Sequence, residues 1–562
     1  MTKIEKAILK KLKFLYGNKA AEKTLAGIND LLAKYKNAIK TKDFQFSEKD
    51  LVLITYGDSF LKPGENPLKT LNYFLNTYLM KKVTVAHILP FFPYSSDDGF
   101  SVIDYKEVNP DLGNWEDIDL LGKNFFLMFD AVVNHISAKS KEFQGFLKRE
   151  ETFKKFFILV GPEIDVSQVF RPRALPLTTK FDTEKGPLNL WTTFSTDQID
   201  LNFSNPEVFL FVLDVLLFYA MHGASIIRLD AIAFLWKESG TTCLHLPQTH
   251  TVIKLYRQIL ETAAPYLKII TETNVPHKEN ISYFGNGNDE AHMVYNFALP
   301  PLTVDALLTG DARILSKWAK SLKLPGKNTY FYNFTASHDG IGLLPSHNIL
   351  STERIQGLID KTEQSGGRVS YKNNADGTKT AYELNISLFD LLSKPDSKNG
   401  FQVSVDRFVA SQAIALTLIG VPAIYYHSII GSRNYYKGVE KTGANRTINR
   451  EKVHIETVEK DLKTAGSLRN LVFQKLTSLI STKRKLRAFH PGGKQKVLSV
   501  HPGIFCVERQ SPEKGETVLS LINVTDKQVD LSLDTKGKRD VLSGRIFSEE
   551  MSLAPYEVLW LK

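Results

Sequence analysis

Arg228 and Asp230 stand two residues apart at the end of Ser225–Leu229, a short apolar run rich in β-branched residues. Such a run reads as a strand buried on both faces, and residues two apart on a strand share a side. Opposite charges where burial is expected need a reason. A structural ion pair is one reason. A catalytic carboxylate, Asp230, kept ionised and aimed by Arg228 is the other, and the neighbouring strand ends favour it. Asp97 and Phe100 follow Val85–Leu89 in ILPFFPYSSDDGFS, and His135 closes DAVVNH. Glu272 follows Lys268–Thr271 in TETN, and His338 and Asp339 follow Thr329–Phe334 in SHD. A lone strand-end carboxylate or histidine is often a hydrogen-bonded structural group. A whole set is harder to explain that way, because unpaired buried charges cost on the order of several kcal/mol each.

Those groups need a scaffold that brings strand ends together. Apolar runs at Leu51–Thr55, Val85–Leu89, Phe125–Val133, Ser225–Leu229, Lys268–Thr271, Met293–Asn296, Thr329–Phe334 and Val421–Tyr426 alternate with helical segments. Glu207–Met221, Thr251–Thr262, Thr303–Ser321 and Arg407–Leu418 are the clearest helices. The pattern predicts a (β/α)₈ barrel over residues 49–490, with its active face at the C-terminal strand ends. TYGDSF after the first strand lacks the glycine-rich turn of a doubly wound sheet. Insertions at about 136–200 and 340–400 leave that same face, and long loops of this kind serve as lids or small inserted domains. Residues 1–48 read as a helical extension, split at Gly17, with a lysine-rich solvated side. Residues 491–562, with short strands expected at Val497–Val500, Phe505–Arg509, Val518–Asn523, Val529–Leu533, Asp540–Ser543 and Glu557–Leu561, read as an antiparallel β domain without a polar constellation.

Composition narrows the function classes. Of 562 residues, 43% are hydrophobic and 23% charged, the balance of a globular protein with a large core. The formal charge of +10 is spread along the chain without a basic arm, so nucleic acid is not the expected partner. A basic mouth for an anionic small substrate fits better. Cys243 and Cys506 are too far apart in sequence to suggest a disulfide framework or a metal site. MTKIEKAILKKLKFLYG is not a signal peptide, and no apolar run is long enough to span a membrane, so a cytoplasmic enzyme is expected.

DAVVNH, RLDAIAFLWK, ETN and SHD, in that order, resemble the sequence signatures of the α-amylase family of retaining α-glucosidic enzymes. HILPFFPYSSDDGF, RPRALP, KESGTTC, YNFALPPL and HDGIG resemble its sucrose phosphorylase subgroup. KESGTTCLHLPQTH, ETNVPHKENISYFGNG and the N-terminal extension are most similar to the glucosylglycerate phosphorylase branch.

The resemblance implies roles. Asp230 matches the family nucleophile, with Arg228 expected to depress its pKa, and Glu272 matches the acid/base, whose pKa must be raised to protonate a leaving group. Retention requires the two carboxyls about 5–5.5 Å apart. Asp339 matches the carboxylate that stabilises the oxocarbenium-like transition state, and His135 and His338 those that bond the glucosyl ring. Asp97 with Arg446, or its rival Arg450, matches the pair that closes the far end of the ring. Arg173 in RPRALP, with Arg171 beside it, matches a mobile-loop arginine for phosphate. Tyr382 and Glu383 correspond to the acceptor loop, where the run departs from sucrose phosphorylase and puts fructose in doubt. Arg368 and Lys372 are candidates for a glycerate carboxylate, with a solvated basic loop as the plainer reading. His87 and His222 are read as structural hydrogen-bonding groups, and Phe234 and Trp236 as barrel-mouth packing. Asn134 corresponds to an amylase calcium ligand, but no cluster of oxygen ligands surrounds it in sequence, so no metal or other cofactor is expected. The expected reaction is phosphorolysis of a small α-glucoside, most plausibly glucosylglycerate, to α-glucose 1-phosphate. The alternatives are a sucrose or glucosylglycerol phosphorylase, a hydrolase or transglucosidase of the same family, or an inactive carbohydrate-binding barrel.

Overall fold

The computed structural model describes all residues except 174, 184–185, 374–377, 395–400 and 549. The tip of the SGGRVSYKNNADGTKTAYELN segment therefore lies outside the described residues. Eight parallel strands close a barrel: β1 (Val52–Thr55), β2 (Val85–Ile88), β3 (Phe126–Ala131), β4 (Ala224–Leu229), β5 (Lys268–Thr271), β6 (Met293–Tyr295), β7 (Tyr330–Asn333) and β8 (Val421–Tyr425). Their apolar, β-branched runs are buried on both faces, because side chains fill the barrel inside and helices cover it outside.

Register decides what meets at the top. Asp130 on β3 is level with Arg228 on β4, and Leu229 on β4 is level with Thr271 on β5. Asp230 and Glu272 are thus each one step past the end of adjacent strands. Their amides continue the ladder, to Ala131 O at 3.1 Å and Leu229 O at 3.0 Å.

The N-terminal helices are Lys3–Tyr35 broken at Gly17, whose φ of 75° and ψ of 173° interrupt the helix. They lie against the helices Pro206–Met221 and Pro247–Ala263, which lead into β4 and β5. Tyr35 Oη and Lys34 Nζ bond Asp214, both at 2.9 Å, and Lys11 Nζ bonds Gln258 at 2.8 Å. Gly27 permits the approach: a Cβ there would sit 2.7 Å from Leu210 Cδ1.

The insertion after β3 pairs His135–Ser137 with Gln198–Asp200 and holds the hairpin Thr178–Phe181 and Leu188–Trp191. The insertion after β7 is a three-stranded antiparallel sheet of Ile341–Gly342, Lys379–Asn385 and Arg368–Asn373. A four-stranded antiparallel sheet (Lys494–Leu498, Ile504–Gln510, Thr517–Asn523, Val558–Leu561) ends the chain.

Two sequence expectations fail locally. Thr303–Ser321 is two helices, Leu299–Thr309 and Arg313–Ser321, because Gly310 turns left-handed (φ 68°) and Asp311 accepts the N–H of Arg313 at 3.0 Å. Asp540–Ser543 is a turn, since the Asp540 carboxylate accepts the N–H groups of Leu542 (3.3 Å) and Ser543 (2.8 Å). Near the C-terminus, Glu550–Leu553, paired with Val529–Ser532, is a strand with no counterpart among those expected from sequence.

Candidate active site

The barrel ends in a cavity of about 140 Å³ that gathers residues from the strand ends and from both insertions. Arg228 anchors its floor. It is almost fully buried, and its Nη1 donates to Asp230 Oδ1 at 2.7 Å and also to Asp130 Oδ1. Asp130 in turn lies 2.6 Å from His87 Nε2. Burial would raise the Asp130 carboxyl, but Arg228 and then His87 outweigh it and hold it below its ordinary value. Asp230 goes the other way: burial raises it, with Arg228 and His135 opposing. Arg228 does lower the Asp230 carboxyl, as expected, but burial is the larger cause and the net shift is upward.

Glu272 is one strand over. Burial, reinforced by Asp230 and Asp339 and opposed by Arg228, pushes its carboxyl up to about 7, and its Oε2 accepts the N–H of Ala231 at 3.0 Å. Asp230 and Glu272 border the same cavity from adjacent strand ends, so they are chemically suited to attack and proton transfer. Ala231, between them in the wall, has a φ of 48°, the left-handed region that favours glycine.

His135 Nε2 lies 2.9 Å from Phe100 O and 3.1 Å from Gln198 Nε2. His338 stacks on Phe100 with ring centroids 4.9 Å apart and planes 3° from parallel. Burial lowers both imidazoles, His338 to about 3, so each is a neutral hydrogen-bonding group at ordinary pH.

Arginines from the 446–450 turn organise the acidic wall. Arg446 Nη1 lies 2.7 Å from Asp339 Oδ1, while its Nε (3.0 Å) and Nη2 (2.6 Å) clamp the buried Glu383 carboxylate. Arg450 reaches Asp98 at 2.9 Å, Asp97 at 3.6 Å and the His338 carbonyl at 2.8 Å. Of the two rivals, Arg450 is therefore the one beside Asp97, and Arg446 is the one that borders the cavity. Burial opposes ionisation of Asp339 and Asp97, but the arginines prevail, Arg446 first at Asp339 and Arg173 first at Asp97. Both carboxyls lie below their ordinary range, Asp97 at about 2.

Arg173 comes down from the first insertion onto Asp97, 3.2 Å away, and lies over the ring of Phe194. Its neighbour Arg171 is exposed, donates to Leu175 O at 3.3 Å and does not border the cavity. Tyr382 and Lys372 border it, whereas Arg368 does not. Glu383, expected to meet an acceptor, is engaged by Arg446. Phe234 lines the cavity, Trp236 packs against Tyr16, and His222 stacks on Trp115 at 3.9 Å. Sequence reasoning missed Asp130, Gln198, Phe170, Phe194, Asn274 and His347, all but Asp130 cavity-lining. Asp130 opens DAVVNH and was in view, but its pairing with Arg228 carries no local signal; Gln198 begins a short strand of the first insertion whose sequence gives no signal either.

Beside the site Lys237 Nζ lies 2.6 Å from Asp200 Oδ2 and 3.0 Å from Asn134 Oδ1. Asp200 also accepts from Asn134 Nδ2 at 3.1 Å and from the Thr193 hydroxyl at 2.6 Å. A lysine thus supplies positive charge next to the residue that corresponds to an amylase calcium ligand. Among the described residues no group of three or more His, Cys, Asp or Glu side chains is arranged to hold a metal ion.

Comparison with known proteins agrees with this geometry. Residues 77–339 match the model of the α-amylase catalytic domain. The chain is 46% identical to a glucosylglycerate phosphorylase of Spirochaeta thermophila, over 98% of this chain and 97% of that one. It is 46% identical to one of Escherichia coli over 92% of each. A sucrose phosphorylase of Streptococcus mutans is 28% identical over 84% of this chain and 95% of its own. Among solved structures, sucrose 6F-phosphate phosphorylase from Thermoanaerobacter thermosaccharolyticum superposes with a TM-score of 0.74 at 25% identity, covering 90% of this chain and 98% of that one. The chain belongs to the α-amylase family of enzymes, among its glycoside phosphorylases.

Proposed function

We propose that the chain catalyses the reversible phosphorolysis of glucosylglycerate, with retention, to α-glucose 1-phosphate and glycerate. The observation that carries this reading is the near full-length identity of 46% to two glucosylglycerate phosphorylases. A cavity that brings Asp230, Glu272 and Asp339 together supports it.

In the first step the Asp230 carboxylate attacks the anomeric carbon. The bond to the glycerate oxygen breaks, and that oxygen takes the proton of Glu272. A carboxyl raised to about 7 by burial is present in both forms at neutral pH, so it can give the proton in this step and take one in the next. In the second step a phosphate oxygen attacks the same carbon from the vacated side, its proton passes to Glu272, and the ester to Asp230 breaks. Two inversions give retention. Asp339, held ionised by Arg446, offsets positive charge on the ring in both transition states. His135, His338 and Phe100 form the wall against the glucosyl ring, and Asp97 with its arginines closes the far end. Arg173 supplies charge for phosphate by exchanging Asp97 for the dianion. No cofactor enters this scheme. The reading includes a cytoplasmic location, consistent with two unpaired cysteines and with no helix among the described residues long and apolar enough to cross a membrane.

The test is to supply α-glucose 1-phosphate with glycerate, glycerol, fructose or fructose 6-phosphate and measure phosphate release. Fastest release with glycerate is expected. Preference for fructose or its phosphate would replace the substrate, and release of free glucose alone would replace the reaction.

A further inference from the structure

We propose that Lys372 is the residue that selects a carboxylate-bearing acceptor, by placing an uncompensated ammonium at the mouth of the cavity. This rests on the proposed acceptor being an anion.

The arginines that border the cavity are each held by at least one carboxylate: Arg228 by Asp130 and Asp230, Arg446 by Asp339 and Glu383, Arg173 by Asp97. Lys372 borders the same cavity, and among the described residues no carboxylate lies within ion-pair distance of its Nζ. Its Nζ faces the Phe170 ring, 5.4 Å from the centroid. A ring face holds an ammonium in place without neutralising it. Phe170 comes from the first insertion and Lys372 from the second, so the ammonium sits where the two insertions meet over the strand ends.

Arg368 and Lys372 lie four apart on one strand of the hairpin, Arg368 level with Asn385 and Lys372 level with Thr380, and it is the Lys372 end that borders the cavity. The register shifts between Ser370 and Tyr371, where the extra residue, Tyr382, belongs to the facing strand and borders the cavity too. Arg368 lies before the shift and away from the cavity; Lys372 lies after it. His347, also bordering the cavity, is lowered by burial and by Lys372, so its neutral ring can donate to an anion beside the ammonium. A carboxylate entering a partly dehydrated mouth needs a cationic partner, and a neutral polyol does not. The difference between the two is what Lys372 controls.

The experiment measures kcat/KM with α-glucose 1-phosphate as donor and glycerate or glycerol as acceptor, for the wild type and for Lys372→Met, Lys372→Arg and Arg368→Met. Lys372→Met should lower the value for glycerate about ten- to hundredfold, the loss of one charge-assisted contact, and change that for glycerol far less. Lys372→Arg should restore most of the glycerate preference, and Arg368→Met should keep all of it. Melting temperatures establish that each variant is folded. Equal losses on both acceptors, or no loss on glycerate, overturn the assignment of Lys372 while leaving the proposed reaction intact. A wild type that does not prefer glycerate to glycerol overturns both.

Discussion

Replacing Glu272 by Gln removes a carboxyl that the fold holds protonated, and the consequence for stability has a definite sign. The folded-state pKa is about 7 against an ordinary 4.5, with burial as the leading cause. Between those two values the folded chain binds the proton more tightly than the unfolded chain, so stability contributed by the neutral acid is present below pH 4.5 and lost as pH rises through 7. At roughly 1.36 kcal/mol per pKa unit the loss is about 3 kcal/mol, complete by pH 8. Gln has the same shape and no charge, so the variant does not suffer this loss. Glu272→Gln should therefore melt at nearly the wild-type temperature at pH 4.5 and about 2–3 °C higher at pH 8, given the unfolding entropy of a chain this long. Calorimetry or fluorescence melting at the two pH values reads the difference. The same variant should lose the alkaline limb of the pH profile and fail on glucosylglycerate, while α-glucosyl fluoride, whose leaving group needs no proton, should still form the glucosyl ester. An identical melting offset at both pH values, or equal losses on both donors, would refute the reasoning and remove Glu272 as the acid.

Asp230→Asn should abolish phosphate release with the fold retained; activity within about tenfold of wild type would remove it as nucleophile. Arg173→Ala should weaken phosphate saturation by about one to two decades and raise the share of free glucose among products, read by following both products across a phosphate titration. Unchanged phosphate dependence would leave Arg173 as a loop anchor on Asp97. Glu383→Gln should loosen the Arg446 clamp and, through Asp339, lower kcat more than it raises the KM for α-glucose 1-phosphate; a change in KM alone would make Glu383 a binding group only.

The barrel was legible because strands buried on both faces must be apolar throughout, and the departures from that rule, Arg228 with Asp230 and His338 with Asp339, mark their ends. Asp130 escaped because it sits within such a strand. Its meaning depends on register, which places it level with Arg228 from nearly a hundred residues away, and no local pattern encodes that. The division of labour between Arg446 and Arg450 was equally hidden. They lie four apart in a 3₁₀ turn, and only the positions of Glu383 and Asp98, brought in by other loops, decide which carboxylates each one takes. The net direction at Asp230 was hidden for a related reason: a neighbour in sequence shows that a cation is near, not how deeply the fold buries the carboxyl.

Lys237 carries a consequence of its own. A free ion between Asn134 and Asp200 would come and go with the composition of the medium, and its occupancy would follow mass action. An ammonium on a four-carbon tether is always within reach, at an effective concentration set by the chain and not by the solution. Its seat beside DAVVNH and the β4 loop is filled as soon as those segments fold, and a chelator has nothing to withdraw.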